Sequence, residues 1–470
     1  MSLYAELFKE SPQNGGEYGR AAVHCGDFEL ASQIWEKIRR LDPNNIACIF
    51  WLAGEYAKIG LNGKARILLS RAAKIEPRNL EVRIRLAWLL SRTGSVEEAR
   101  DVVNQCLALD ARNQATLYLN ALLDRRENKL AAGEQQLRNL LVGGATAPNV
   151  RYSCHAELAH ILDRTERHEE AMAQLETAKS EWRQNFESKP GHKDFFEWRE
   201  NEIRQARALP KNILQTWAKA FPSEVQVALP TIAFLTGSAR SGTTLLEQIM
   251  DAHSSVAAVD ESFAFHRIQP FVDVNAPEIP VEQPNLWRQR YLKSLTLDLQ
   301  LTRKETVFLD KNPSHTFWLP GFLRLFPELR VLIALRDPRD ILISLYFQDQ
   351  PYTNPLTLEQ LAQHYSDVME LWLAVREWDG LAWMETRYED IVTDLQKEGR
   401  RVTEFLGLEW QDTQARYHEQ NRDKKILSTN YNDVTKPVYN RSVGRWRTYE
   451  KYLKPVLPML EPYCKKFGYA

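Results

Sequence analysis

Along the first 180 residues, hydrophobic and small positions recur with a period of 34. Pro43, Pro77 and Ala111 share one register, in the segments LDPNN, IEPRN and LDARN. Gly26, Gly60 and Gly94 share a second, and Ala31, Ala65 and Ala99 a third. Leu52-Ala53 is repeated as Leu86-Ala87. Such a unit predicts two helices and a turn: Ala and Gly let the helices approach closely, and Pro stops the second. The period weakens after residue 111, with Asn128 in the Gly94 register and Gly133 in the Ala99 register. It restarts after Gly143-Gly144, where Ala171 takes the small position. About four to five stacked repeats are predicted over residues 16–180, an all-α solenoid.

This spacing resembles the tetratricopeptide repeat. The resemblance implies a concave surface on which a peptide or partner domain docks; an architectural role is the alternative. Residues 181–229 follow, rich in Trp and Phe and broken by Pro190-Gly191, Pro210 and Pro222, as expected of a packed helical connector. The domain division expected is 1–180, 181–229 and 230–470.

Beyond Pro230 the pattern changes. Short apolar runs at Ile232–Leu235, Val307–Leu309 and Arg330–Leu335 alternate with helical stretches, which predicts an α/β domain with a central parallel sheet. The first run leads into Gly237-Ser-Ala-Arg-Ser-Gly242-Thr-Thr and then an amphipathic helix. A strand, a Gly-bounded loop and a helix direct backbone N–H groups at one point, which suits an anion. The two glycines have P-loop spacing, but the lysine that neutralises a triphosphate is replaced by Thr243. A less charged group, such as a phosphosulfate partnered by Arg240, fits better. Asp310, ending an apolar strand, permits a Walker-type aspartate, but Lys311 follows at once.

Composition narrows the rest. The chain has 470 residues, 44% hydrophobic and 26% charged, with net charge -1, which speaks against disorder and against a dedicated nucleic-acid binder. The five cysteines are scattered without CxxC spacing, so neither a disulfide framework nor a zinc site is expected, and a cytoplasmic location is. No secretory signal and no membrane span are read. The ten histidines form no metal motif; His253 and His315 are read as structural and no metal is expected.

SARSGTTLLEQIMDAHSSVAAVDES (238–262) resembles the 5′-phosphosulfate loop of sulfotransferases that use 3′-phosphoadenosine-5′-phosphosulfate, closest to the tyrosylprotein sulfotransferase branch. Segments 307–346, 383–410 and 428–453 carry the same resemblance. It implies that Arg240, Ser241, Gly242, Thr243 and Thr244 hold the phosphosulfate, and that Arg336 and Ser344 hold the 3′-phosphate. Tyr388, Asn430 and Arg445 are implied as further cofactor contacts, with Ser428 or Thr429 able to replace Asn430. Glu261 is implied as the base that takes the acceptor's proton, with Asp260 as the next candidate. Lys311 is implied as the stabiliser of the leaving oxygen. Arg267 is a candidate pocket residue. Phe263 stands where the tyrosylprotein enzymes carry an Arg. The acceptor is a hydroxyl: peptidyl tyrosine by the branch, with a sugar or small molecule open. A scaffold with a silent nucleotide domain and an NTPase are the rival readings, disfavoured by the complete residue set and by Thr243 respectively.

Overall fold

The computed structural model describes residues 12–24, 28–58, 61–144, 147–186, 192–219, 230–261, 264, 284–298, 305–348, 356–420, 438 and 440–469. The chain divides into two compact units, Met1–Asn185 and Phe186–Ala470.

The first unit is helical. Its helices pair as α1 (Pro12–His24) with α2 (Phe28–Leu41), α3 (Ile46–Lys58) with α4 (Asn62–Ile75), and α5 (Leu80–Arg92) with α6 (Val96–Leu109). Then come α7 (Gln114–Arg126) with α8 (Leu130–Val142), and α9 (Pro148–Arg164) with α10 (His168–Phe186). Ala31, Ala65, Ala99 and Ala171 are fully buried where the helices cross. At Gly133, in that same register, a Cβ would come within 3.1 Å of the Ala121 carbonyl oxygen, so the smaller residue lets α7 and α8 close together. Three of the turns between paired helices carry a left-handed residue. Gly94 supplies it with φ 82°, Asn128 with 63° and Glu166 with 61°. The last Asn of LDPNN, IEPRN and LDARN caps the next helix. Asn45, Asn79 and Asn113 accept from the backbone N–H of Cys48, Val82 and Thr116 at 3.0, 3.2 and 3.0 Å. Each such cap is worth about 1 kcal/mol.

The second unit opens with α11 (His192–Ala208) and α12 (Ile213–Lys219). Five parallel strands follow: β1 (Thr231–Gly237), β2 (Val256–Asp260), β3 (Val307–Lys311), β4 (Arg330–Leu335) and β5 (Ala382–Arg387). Their order is β2-β3-β1-β4-β5, which puts β1 in the middle. Helices α13 (Thr243–Asp251), α14 (Pro284–Asp298), α15 (Leu319–Leu325), α16 (Pro338–Tyr346) and α17 (Leu358–Val375) join them; α18 (Tyr388–Thr393) and α19 (Leu395–Phe405) follow β5. Strands β1 and β4 are near-continuous apolar runs, and β2 and β3 are apolar until their charged C-terminal ends, because a parallel sheet is covered on both faces. Leu235, Leu309 and Leu332 are sealed from water there, with Leu246 and Ile249 of α13 packed on them. Each fully buried aliphatic side chain of this kind contributes about 1.5–3 kcal/mol. Helix α11 packs on α17 through buried Arg199, which is 3.4 Å from Asp367 and bonds His364 Nδ1.

Candidate active site

Ligands of open α/β sheets bind where the strands end. Here the C-terminal ends of β1, β2, β3 and β4 lie side by side, carrying Gly237, Asp260, Lys311 and Leu335-Arg336. The register opposes Asp260 to Lys311, and Leu235 to Lys311 on the other side.

The loop after β1 is bent by its backbone. Gly237 has φ 137° and Gly242 has φ 96°; a Cβ on Gly237 would stand 2.5 Å from the Ala334 oxygen, and one on Gly242 2.8 Å from the Tyr388 ring. Arg240 is also left-handed, at φ 72°. A non-glycine residue there costs about 1 kcal/mol or more, a strain that collects at functional sites. Thr316 braces the loop's start: its hydroxyl donates to the Gly237 oxygen at 3.1 Å and accepts from the Gly237 N–H at 3.2 Å.

Two cations meet beside this loop. Arg240 Nε donates to Ser344 Oγ at 2.9 Å, and Arg336 Nη1 donates to the Arg240 oxygen at 3.1 Å. Arg336 also donates to the Ser442 oxygen at 2.6 Å and stacks 4.9 Å above the Tyr388 ring. Arg240, Ser344, Arg336 and Tyr388 are thus one cluster. Its Arg336 Nε and Ser241 Oγ are buried without a hydrogen-bond partner. Orphaned donors beside a Gly-bounded loop fit an anionic ligand carrying phosphate-like groups. Thr243 and Thr244 begin α13, behind the loop, and both are buried.

On the other side stands Lys311, fully buried. Its Nζ is in ion contact with Asp260 and lies 3.4 Å from both Glu261 Oε1 and Thr244 Oγ1. Burial works against its charge, but Asp260, Glu261 and buried Glu247 outweigh it, and its pKa is raised. Glu261 is left-handed too, at φ 53°, and its N–H donates to the Lys311 oxygen at 2.8 Å. Its side chain is 46% exposed, so it faces outward where Asp260 faces in. Asp310 points to the opposite face of β3 and accepts from the Tyr291 hydroxyl, away from the loop. Alternation along a strand separates the two neighbours.

Arg445 lies 4.5 Å over the Phe347 ring, one turn beyond Ser344, rather than in the cluster. The segment before it is tied down by Asp340, which accepts from the N–H groups of Gly444 and Trp446 at 2.7 Å each. Glu389 braces the site from below, accepting from the Asp337 N–H at 2.9 Å. His253 bonds the Glu409 carbonyl oxygen at 2.8 Å, and His315 stacks on Phe234. Asn430, Ser428, Thr429, Arg267 and Phe263 lie outside the described residues. Asp260 stands among the residues named from the sequence; Glu247 and Asp340, both buried, do not. Among the described residues no three His, Cys, Asp or Glu side chains gather as a metal site.

A strand, a loop with left-handed backbone and a buried lysine thus meet at adjacent parallel strand ends. Residues 233–412 match the model of the Sulfotransferase family, and residues 60–123 match the Tetratricopeptide repeat. The chain therefore carries a tetratricopeptide-repeat region and a sulfotransferase-family domain. It is 26% identical over 435 residues to an uncharacterized protein of Aquifex aeolicus, a match covering 86% of this chain and 53% of that one. The chain thus spans about half that relative's length. It is 22% identical over 258 residues to protein-tyrosine sulfotransferase A of Caenorhabditis elegans, covering 50% of this chain and 66% of the relative. A third relative is the omega-hydroxy-beta-dihydromenaquinone-9 sulfotransferase Stf3 of Mycobacterium bovis, 27% identical over 142 residues, 28% of this chain and 36% of that one. No helix among the described residues is long and apolar enough to cross a membrane.

Proposed function

We propose that this chain transfers a sulfuryl group from 3′-phosphoadenosine-5′-phosphosulfate to an acceptor hydroxyl, with peptidyl tyrosine as the favoured acceptor class. The observation that carries the reading is one buried cation, Lys311, held among carboxylates beside an anion loop that lacks the P-loop lysine. The similarity to a protein-tyrosine sulfotransferase supports the acceptor.

The donor supplies the sulfuryl group and carries a phosphate on its ribose. The N–H groups of Ser241, Gly242, Thr243 and Thr244, with Arg240, hold the phosphosulfate end. Arg336 and Ser344 hold the 3′-phosphate, Tyr388 walls the nucleotide side, and Arg445 closes the far end. Glu261, the more exposed carboxylate, accepts the proton of the acceptor hydroxyl as that oxygen bonds to sulfur. Lys311 Nζ sets its charge against the oxygen that departs, and does so in a dry site where charge counts most. Asp260 keeps that lysine charged and aimed.

Calorimetry tests the reading. Adenosine 3′,5′-bisphosphate should bind and ATP should not. Arg336→Ala should weaken that binding by at least tenfold, the loss of one charge-assisted contact of about 1.5–3 kcal/mol. Equal binding of ATP, or an Arg336→Ala variant with unchanged affinity, would contradict it.

A further inference from the structure

Helix α16 and the residues before it place three polar groups at four-residue steps: Arg336, Asp340 and Ser344. Residues four apart on a helix share a face, so Asp340 and Ser344 lie one above the other. Ser344 is engaged by Arg240. Asp340 is a carboxylate only 1% exposed, beside the cluster proposed to hold phosphate. An acid buried next to an anion site is costly unless its charge is answered.

An acid in the first turn of a helix ordinarily serves that helix, whose free N–H groups and dipole favour negative charge. On α16 Asp337 already does so, accepting from the Arg339 N–H at 2.9 Å. Both Asp340 oxygens bond outside the helix instead. Oδ2 accepts from the Gly444 N–H and Oδ1 from the Trp446 N–H, each at 2.7 Å. Burial pushes the Asp340 carboxyl pKa up, while Arg336 and then these two N–H groups draw it down. Gly444 is left-handed at φ 70°, and the one-turn helix Arg445–Tyr449 starts from it. Asp340 thus caps, from another element, the turn that ends segment 440–444.

That segment reaches Arg336. The Ser442 oxygen accepts from Arg336 Nη2 at 2.6 Å, and the Arg240 oxygen accepts from Nη1 at 3.1 Å. The two carbonyls and the Tyr388 ring fix the plane of the guanidinium, and the buried Nε is left over for a ligand. The residues after Gly444 have apolar anchors of their own. Arg339 lies 4.0 Å over the Trp446 ring, and Tyr449 meets Phe347 edge to face at 5.5 Å. The Asp340 bonds fix the turn before them, the one that carries Ser442.

We propose that Asp340 is a positioning residue for the 3′-phosphate of the nucleotide: by capping the Gly444 turn it sets the Ser442 carbonyl, and through that carbonyl the Arg336 guanidinium. The inference rests on the donor proposed above. It concerns one end of that donor, since the loop 241–244 holds the other. Asp340 therefore governs the preference for a nucleotide with a 3′-phosphate over one without.

The test is calorimetry on the full chain with adenosine 3′,5′-bisphosphate and with adenosine 5′-phosphate, followed by donor kinetics. In Asp340→Asn the amide keeps one acceptor oxygen and sets N–H against N–H at the other position. It should weaken the bisphosphate about tenfold, the scale of one charge-assisted hydrogen bond, and the 5′-phosphate by less than about twofold. The donor KM should rise with kcat nearly unchanged, the mark of lost binding rather than lost chemistry. A role confined to folding would lower both affinities together, and loss of a negative charge alone would tighten both. Gly444→Ala is the second variant and decides the matter if Asp340→Asn does not fold. It keeps Asp340, but φ 70° disfavours alanine and its Cβ would run into the Arg447 guanidinium. The same split between the two nucleotides is expected. An equal loss for both, tighter binding, or undiminished discrimination overturns the proposal while the donor reading stands. A wild type that binds the two nucleotides alike overturns both.

Discussion

Lys311 is a charge placed where water does not reach it, and its neighbours decide whether it keeps its proton. Burial is the largest influence and lowers its pKa; Asp260 and then Glu261 and Glu247 raise it beyond the ordinary lysine value. The lysine therefore stays charged through neutral and mildly alkaline pH, and deprotonates only above the usual range. Asp260→Asn removes the strongest opposition to burial. The alkaline limb of the rate profile should then move to lower pH, with nucleotide affinity little changed, while Asp260→Glu should leave the limb in place. Rate against pH for the three proteins is the measurement, and an unmoved limb in the Asn variant would detach Asp260 from the lysine. At this scale the Gly-bounded loop made Arg240 a candidate from the residues themselves, whereas Lys311, Arg336 and Ser344 were implied by the family resemblance, with Ser344 on helix α16. The Asp260–Lys311 pairing was not legible, since it depends on the register between β2 and β3, strands distant from each other in sequence. The left-handed backbone of Arg240 and Glu261 has no signature in residue type either.

At the scale of elements, β1, its loop and α13 were readable from an apolar run, two glycines and an amphipathic pattern, and the parallel sheet from apolar runs between helices. The placement of α11 was less so. Its aromatic content announced packing, but the partner is α17, and the contact is a buried polar one. Arg199 donates to His364 Nδ1, which fixes that nitrogen as an acceptor and the ring as neutral. Burial, and then the Arg199 charge, push the His364 pKa down to about 3. The unfolded chain takes up this proton near pH 6.5 and the folded one only near pH 3, so stability contributed here is complete above about 6.5 and falls as pH drops. The slope is at most about 1.4 kcal/mol per pH unit. His364→Gln keeps an acceptor for Arg199 and removes the titration, so its melting temperature should fall less steeply between pH 6 and 4 than that of the wild type. Parallel slopes would remove His364 from the acid response.

The whole molecule joins two units with separate sequence logics, one periodic and one α/β. The core beneath the anion site draws on Leu235, Leu246, Leu309 and Leu332, all of the second unit. Residues 186–470 alone should therefore fold and bind adenosine 3′,5′-bisphosphate as the full chain does, with activity on a protein acceptor reduced. Calorimetry and acceptor kinetics on the truncated chain read both, and a truncated chain that fails to fold would make the repeats architectural. The central claim is sulfuryl transfer with Glu261 as base, and its most direct measurement is turnover of 35S-labelled donor by the full chain across peptide, glycan and phenol pools. The account predicts label on a hydroxyl acceptor, peptide above the others, and a loss of about 10²–10⁴-fold in Glu261→Gln that is smallest for acidic phenols. No transfer to any pool, or an equal rate in Glu261→Gln for every acceptor, would contradict it.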